Sequence, residues 1–90
     1  MKKKILIIED DKIIRKELQL LLDNQGYDVK AMEKLSDVKK EIQFFNPHLV
    51  ILDIKLPEKD GHEICSEIRG FSKVPIIFVN SKNTVMDELH

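Results

Sequence analysis

The sequence predicts an α/β fold in which helices cover both faces of a parallel sheet whose strands run in the order 2-1-3-4. Three observations predict it. Strand-like and helix-like segments alternate without exception along the chain, the pattern of βα units joined by right-handed crossovers. The apolar runs 4–8 and 49–54 carry almost no polar alternation, so they read as central strands buried on both faces. Run 27–32 does alternate, which places it at an edge.

The elements follow in order. Lys4 to Ile8 is the first strand. In segment 12–24, Ile14, Leu18, Leu21 and Leu22 recur at helical spacing, and Ile13 and Leu20 widen the stripe. Asp11 is placed to cap this helix, and Gly26 lies just past its end. Tyr27 opens the alternating second strand. Ser36 is expected to open a short helix with Val38, Ile42 and Phe45 on one face, which Pro47 stops. Segment 49–54 is the most hydrophobic strand. Asp60-Gly61 start a helix carrying Ile64, Cys65 and Ile68, which ends near Gly70. Segment 74–79 is a fourth strand, and 81–90 reads as the start of a fourth helix through Val85, Met86 and Leu89. This is the flavodoxin-like, doubly wound arrangement, with its topological switch point between strands 1 and 3.

Composition narrows the function classes. A chain of 90 residues suits a single domain, and 42% hydrophobic residues suffice for a core. The net charge of −1 excludes a basic nucleic-acid surface or a polybasic membrane anchor. Lys2-Lys3-Lys4 reads as a solvated lead-in to the first strand. No apolar stretch is long enough to span a bilayer, and acids follow the first apolar run too soon for a signal peptide. Lone Cys65 excludes an intramolecular disulfide and fits a reducing compartment, so a cytoplasmic location is expected.

Carboxylates close both central strands. Glu9-Asp10-Asp11 follow Ile5-Leu6-Ile7-Ile8, and Asp53 follows Leu49-Val50-Ile51-Leu52 ahead of Ile54-Lys55-Leu56-Pro57-Glu58-Lys59-Asp60-Gly61. If strands 1 and 3 are neighbours, their acids form one pocket in the crevice at the strand ends. Such a pocket suits Mg²⁺, which takes oxygen ligands and partners phosphate. An Asp beside that cation is a competent nucleophile toward phosphorus, giving an acyl phosphate on Asp53. The competing reading makes Asp53 a turn cap and Glu9-Asp10-Asp11 an acidic helix start. The two clusters at two strand ends together favour the pocket.

With these residues in place, the chain resembles the receiver domain of bacterial two-component response regulators. The resemblance rests on Ile5 through Asp11, on Asp53-Ile54-Lys55-Leu56-Pro57-Glu58-Lys59-Asp60-Gly61 and on Pro75-Ile76-Ile77-Phe78-Val79. It implies that Asp53 accepts a phosphoryl group from the phosphohistidine of a histidine kinase. It further implies that Asp10 ligates Mg²⁺, Glu9 holds a metal-bound water, and the Lys55 backbone carbonyl completes the protein ligands. Pro57 and Gly61 would shape the loop. The chain would catalyse at most its own phosphorylation and dephosphorylation, and a DNA-binding effector domain often follows such a unit.

Two departures from the family pattern stand out. The strand 4 end normally carries Thr or Ser as a switch, and here Asn80 occupies it. An Asn amide can donate a hydrogen bond but is bulkier. Ser81 one residue on would point to the other side, and Asn80 also reads as a turn or capping residue. The family's fifth strand, ending in a phosphoryl-binding Lys, and its fifth helix lie beyond His90; neither Lys73 nor Lys82 matches that Lys. Residues 1–90 are therefore read as one receiver domain short of its C-terminal part. An exposed strand 4 edge would favour a homo-oligomer through strand 4 or the 81–90 region.

Two rivals belong to other classes. A pseudo-receiver would serve only as a protein-interaction module, as Asn80 suggests. A phosphatase of the haloacid dehalogenase type usually needs a second Asp two residues after the nucleophile, where Lys55 stands. His48, His62 and His90 have no metal-ligand spacing.

Overall fold

The computed structural model describes residues 2–34, 36–54 and 59–79. Strands β1 (Lys4–Ile8), β2 (Asp28–Met32), β3 (Leu49–Asp53) and β4 (Ile76–Val79) alternate with helices α1 (Lys12–Asn24), α2 (Val38–Phe45) and α3 (Gly61–Arg69). The four strands form one sheet in the order β2-β1-β3-β4, and every pairing is parallel. This is the predicted doubly wound topology. The two strands without polar alternation lie in the middle, and the alternating one lies at an edge.

Residues two apart along a strand share a face. Leu6 and Ile8 of β1, and Val50 and Leu52 of β3, pack with Val38 and Ile42 of α2 and Ile64 and Ile68 of α3. All eight are buried, and each buried aliphatic side chain contributes roughly 1.5–3 kcal/mol. Cys65 packs at the margin of this cluster, the core role its helix face predicts. By alternation Ile5, Ile7, Ile51 and Ile77 face the other side, where α1 lies against β1 and β2. Ile77 remains 51% exposed there.

Helix ends are set by local bonds. The Asp11 carboxylate accepts from the Ile13 and Ile14 amides at 2.9 and 3.1 Å, and Asp60 accepts from the His62 amide at 3.0 Å. Each such cap is worth about 1 kcal/mol. Beyond α1 the chain turns through Gly26 at φ +94°, a conformation that favours glycine. Beyond α2, Asn46 takes φ 53° and donates its amide to Ile42 O at 2.9 Å.

Several sequence expectations change: β2 opens at Asp28 rather than Tyr27, and β3 closes at Asp53 rather than Ile54. Only part of the α1 stripe turns inward: Ile14, Leu18 and Leu22 are half-buried, whereas Ile13, Leu20 and Leu21 are 69%, 63% and 56% exposed. A helix advancing about 100° per residue lays one narrow face on a sheet, and the flanking positions leave it. Helix α2 begins at Val38 behind Asp37, not at Ser36, and residues 36 and 37 form a turn. Strand β4 begins at Ile76 rather than Val74. Pro75 has no amide to donate, and its carbonyl accepts from Val50 N at 2.9 Å instead. The helix expected over 81–90 lies outside the described residues.

Candidate functional site

In a parallel sheet all carboxyl ends open on one edge. The pairing of Ile8 with Leu52 sets the ends of β1 and β3 side by side. Glu9 and Asp53 are fully buried there, and Asp10 is half-buried. One carboxylate oxygen from each of Glu9, Asp10 and Asp53 lies within 4.8 Å of the others. Among the described residues this is the group of His, Cys, Asp or Glu side chains arranged to hold a metal ion. The donors are all carboxylate oxygens, the set that fits a hard cation such as Mg²⁺ rather than zinc or copper.

Local bonds fix the chain at Glu9 and at Asp53. Glu9 donates its amide to Met32 O at 3.0 Å, continuing the β1–β2 ladder past the strand end. Its Oε2 accepts the Asp11 amide at 3.1 Å, while Asp11 turns its own carboxylate to α1. This separates Asp11 from the cluster, as its capping position predicts. On the other strand Asp53 pairs with Val79, and Ile54 donates to Val79 O at 2.9 Å. Ile54 O in turn accepts the Gly61 amide at 2.8 Å.

Gly61 is required by space. A Cβ there would stand 2.7 Å from Ile54 Cα and 3.1 Å from Asp53 O. Both are backbone atoms, so the start of α3 or the end of β3 would have to move. Gly61→Ala is therefore expected to cost about 1–3 kcal/mol, the usual penalty of overpacking. It should also shift the Asp53 and Ile54 amide resonances, as a ¹H–¹⁵N spectrum and urea melts would register. Unchanged stability with unmoved resonances would contradict the close approach.

Arg15 was not among the residues singled out from the sequence. Its Nη1 donates to Glu9 O at 2.9 Å and Asp10 O at 3.4 Å. Its Nη2 lies 4.0 Å from the Glu33 carboxylate just past β2. A cation near the start of a helix opposes the macrodipole, but Lys12 does so as well, so position alone does not single out Arg15.

Other candidates fall away from the cluster. His48 lies at the opposite end of the sheet, where its Nδ1 accepts from Lys4 N at 2.9 Å and its amide donates to Lys4 O at 2.8 Å. His62 packs its ring on Phe78, with centroids 4.8 Å apart. Lys73 precedes β4 and so sits at the far end of that strand. Lys55, Pro57, Asn80, Ser81, Lys82 and His90 lie outside the described residues. Among those described, no helix is long and apolar enough to cross a membrane.

Comparison with known proteins agrees with this geometry. The family model of the response regulator receiver domain matches residues 5–90. The response regulator protein GraR of Staphylococcus epidermidis is 39% identical over 85 residues, covering 94% of this chain but 38% of that protein. GraR of Staphylococcus aureus is 38% identical over the same span. The chain thus spans less than half the length of these curated relatives. Among solved structures, the BeF3-activated N-terminal receiver domain of Klebsiella pneumoniae RstA superposes with a TM-score of 0.82 at 31% identity, over 97% of this chain and 74% of that one. The N-terminal domain of the nisin resistance regulator NsrR gives 0.81 at 39% identity, over 99% of this chain and 75% of the other. The chemotaxis response regulator CheY4 of Vibrio cholerae, at 21% identity with a TM-score of 0.83, covering 99% of this chain and 77% of its own, shares the fold. By sequence and by fold alike, this chain belongs to the response regulator receiver domain family.

Proposed function

We propose that this receiver domain is a Mg²⁺-dependent phosphoacceptor that takes a phosphoryl group from a histidine kinase onto Asp53. The observation that carries the reading is the cluster of Glu9, Asp10 and Asp53, with oxygens within 4.8 Å at the switch point of the sheet. Asp10 and Asp53 would each give the cation a carboxylate oxygen, Glu9 would reach it through water, and the Lys55 carbonyl would complete the protein ligands. When bound, Mg²⁺ neutralises the transferring phosphoryl oxygens.

The chain's own residues account for the rest. Asp53 attacks the phosphorus of a phosphohistidine; a P–O bond forms as the P–N bond breaks, and the departing imidazole nitrogen keeps the bonding pair and takes up a proton. Burial of Asp53 at the end of a central strand fixes its approach, which removes the entropy of orienting it. Hydrolysis later returns the carboxylate. The switching of an effector domain, DNA-binding or otherwise, would lie outside these 90 residues, and the setting is cytoplasmic.

Incubation with acetyl phosphate and Mg²⁺, followed by mass mapping, tests the reading. One phosphoryl group on Asp53, absent without Mg²⁺, is the expected result. No labelling would instead favour a pseudo-receiver that acts as an interaction module.

Asn80 should weaken the switch. A phosphoryl group biases two conformations only through contacts that differ between them. Loss of a hydroxyl bond to a charged group removes on the order of 1.5–3 kcal/mol of that bias. Asn80→Thr is expected to enlarge the phosphorylation-dependent chemical-shift changes in β4. Identical responses in the two proteins would show that position 80 is not the switch.

A further inference from the structure

We infer that Arg15 is a positioning residue for the acidic cluster, holding the main chain of Glu9 and Asp10 so that their carboxylates converge with Asp53. This rests on the proposed Mg²⁺ site and adds a residue to it. Arg15 sits one turn into α1, with a side chain only 15% exposed. Its guanidinium reaches the two successive peptide oxygens that follow β1, at 2.9 and 3.4 Å. Those bonds fix the direction of the segment carrying two of the three acids.

The opposite edge of the guanidinium approaches Glu33 at 4.0 Å. Arg15 thus ties the chain leaving β1 to the chain leaving β2, on the side of β1 away from Asp53. Both hydrogen bonds run to main-chain oxygens, so the guanidinium orients the backbone from which the Glu9 and Asp10 side chains project. The planar fork matters here. Both bonds leave Nη1 while Nη2 faces Glu33, and the single nitrogen of a Lys ammonium cannot reach both sides at once.

The test is a Mg²⁺ titration of the 90-residue chain by calorimetry, with metal-free ¹H–¹⁵N spectra and thermal melts alongside. Arg15→Met is expected to bind Mg²⁺ about tenfold more weakly, the usual loss when a group that orients metal ligands is removed. Arg15→Lys should recover only part of that loss. Without metal, both variants should move the amide resonances of Asp10, Asp11 and Glu33 while those of Lys4, Ile5 and His48 stay in place.

A merely structural role predicts otherwise. It lowers the melting temperature but leaves Mg²⁺ affinity within about twofold, and that result would overturn the proposal. Full recovery by Arg15→Lys while the Asp10 and Glu33 resonances stay displaced would overturn it too, by showing that charge suffices without the main-chain geometry. Should Arg15→Met fail to fold, Arg15→Lys decides the matter by the same readouts. Asp53→Asn is the control for the underlying reading. If it binds Mg²⁺ as the wild type does, the metal site itself is wrongly assigned. If it loses Mg²⁺ while the Arg15 variants keep it, only the role of Arg15 fails.

Discussion

Asp53→Asn is expected to abolish the proposed Mg²⁺ binding and at the same time raise the stability of the metal-free protein. Both effects come from the same crowding. Oxygens of Glu9, Asp10 and Asp53 lie within 4.8 Å of one another, and two of the three residues are fully buried. Two like charges at that separation repel by about 3 kcal/mol at an effective dielectric constant near 20. Solvent at half-buried Asp10 reduces the value for its pairs. An Asn side chain keeps the shape of Asp and removes one charge, relieving two of the three repulsions.

The expected gain in EDTA is on the order of 1–3 kcal/mol, or about 4–8 °C of melting temperature per kcal/mol for a domain of this size. Mg²⁺ should reverse the ranking. A wild-type site at 100 times its Kd gains about 2.7 kcal/mol from the ligand, whereas the variant lacks the proposed charged ligand oxygen of Asp53 and should gain almost nothing. Thermal melts in EDTA and in excess Mg²⁺ read both effects. A variant that melts lower in EDTA and is still stabilised by Mg²⁺ would show that these carboxylates do not form a common site.

Leu52→Ala is expected to bring the domain close to unfolding. Leu52 is fully buried in β3, in register with Ile8 on one side and Phe78 on the other. It packs in the core that α2 and α3 close over the sheet. Truncation there leaves a cavity bounded by strands that cannot collapse into it. The cost is about 2–5 kcal/mol, set against a total stability on the order of 5–10 kcal/mol for a chain of this length. The urea midpoint should fall by more than about 1 M. Phe44→Ala provides the contrast, because Phe44 is 84% exposed on α2; its midpoint should hold to within about 0.5 kcal/mol of stability. If the two variants lose similar stability, the packing described for β3 is wrong.

Much of the site was legible because its signals are local. A carboxylate that ends an apolar run marks the mouth of a strand, and an unbroken apolar run marks a central strand. Asp10 and Asp53 are therefore placed at the same edge by the sequence alone. The caps Asp11 and Asp60 were equally plain, since a side chain that bonds amides two and three residues ahead needs no distant partner. The α1 stripe is wider in the sequence than in the packing for the complementary reason: Ile13, Leu20 and Leu21 are apolar, but apolarity does not say which arc of a helix the sheet covers. His48 offered no signal at all, because its partner Lys4 is 44 residues away.

The sequence by itself determined the order and type of the elements, the central and edge strands, and the acids at the strand ends. Each of these follows from periodicity and punctuation within a few residues. Only the tertiary structure decided how close Glu9, Asp10 and Asp53 come, that Arg15 holds the chain beneath two of them, and that Gly61 lies against the end of β3 with no room for a methyl group. Those facts depend on segments brought together by crossovers. Their distances are set by how the helices pack onto the sheet, which no local stretch of residues encodes.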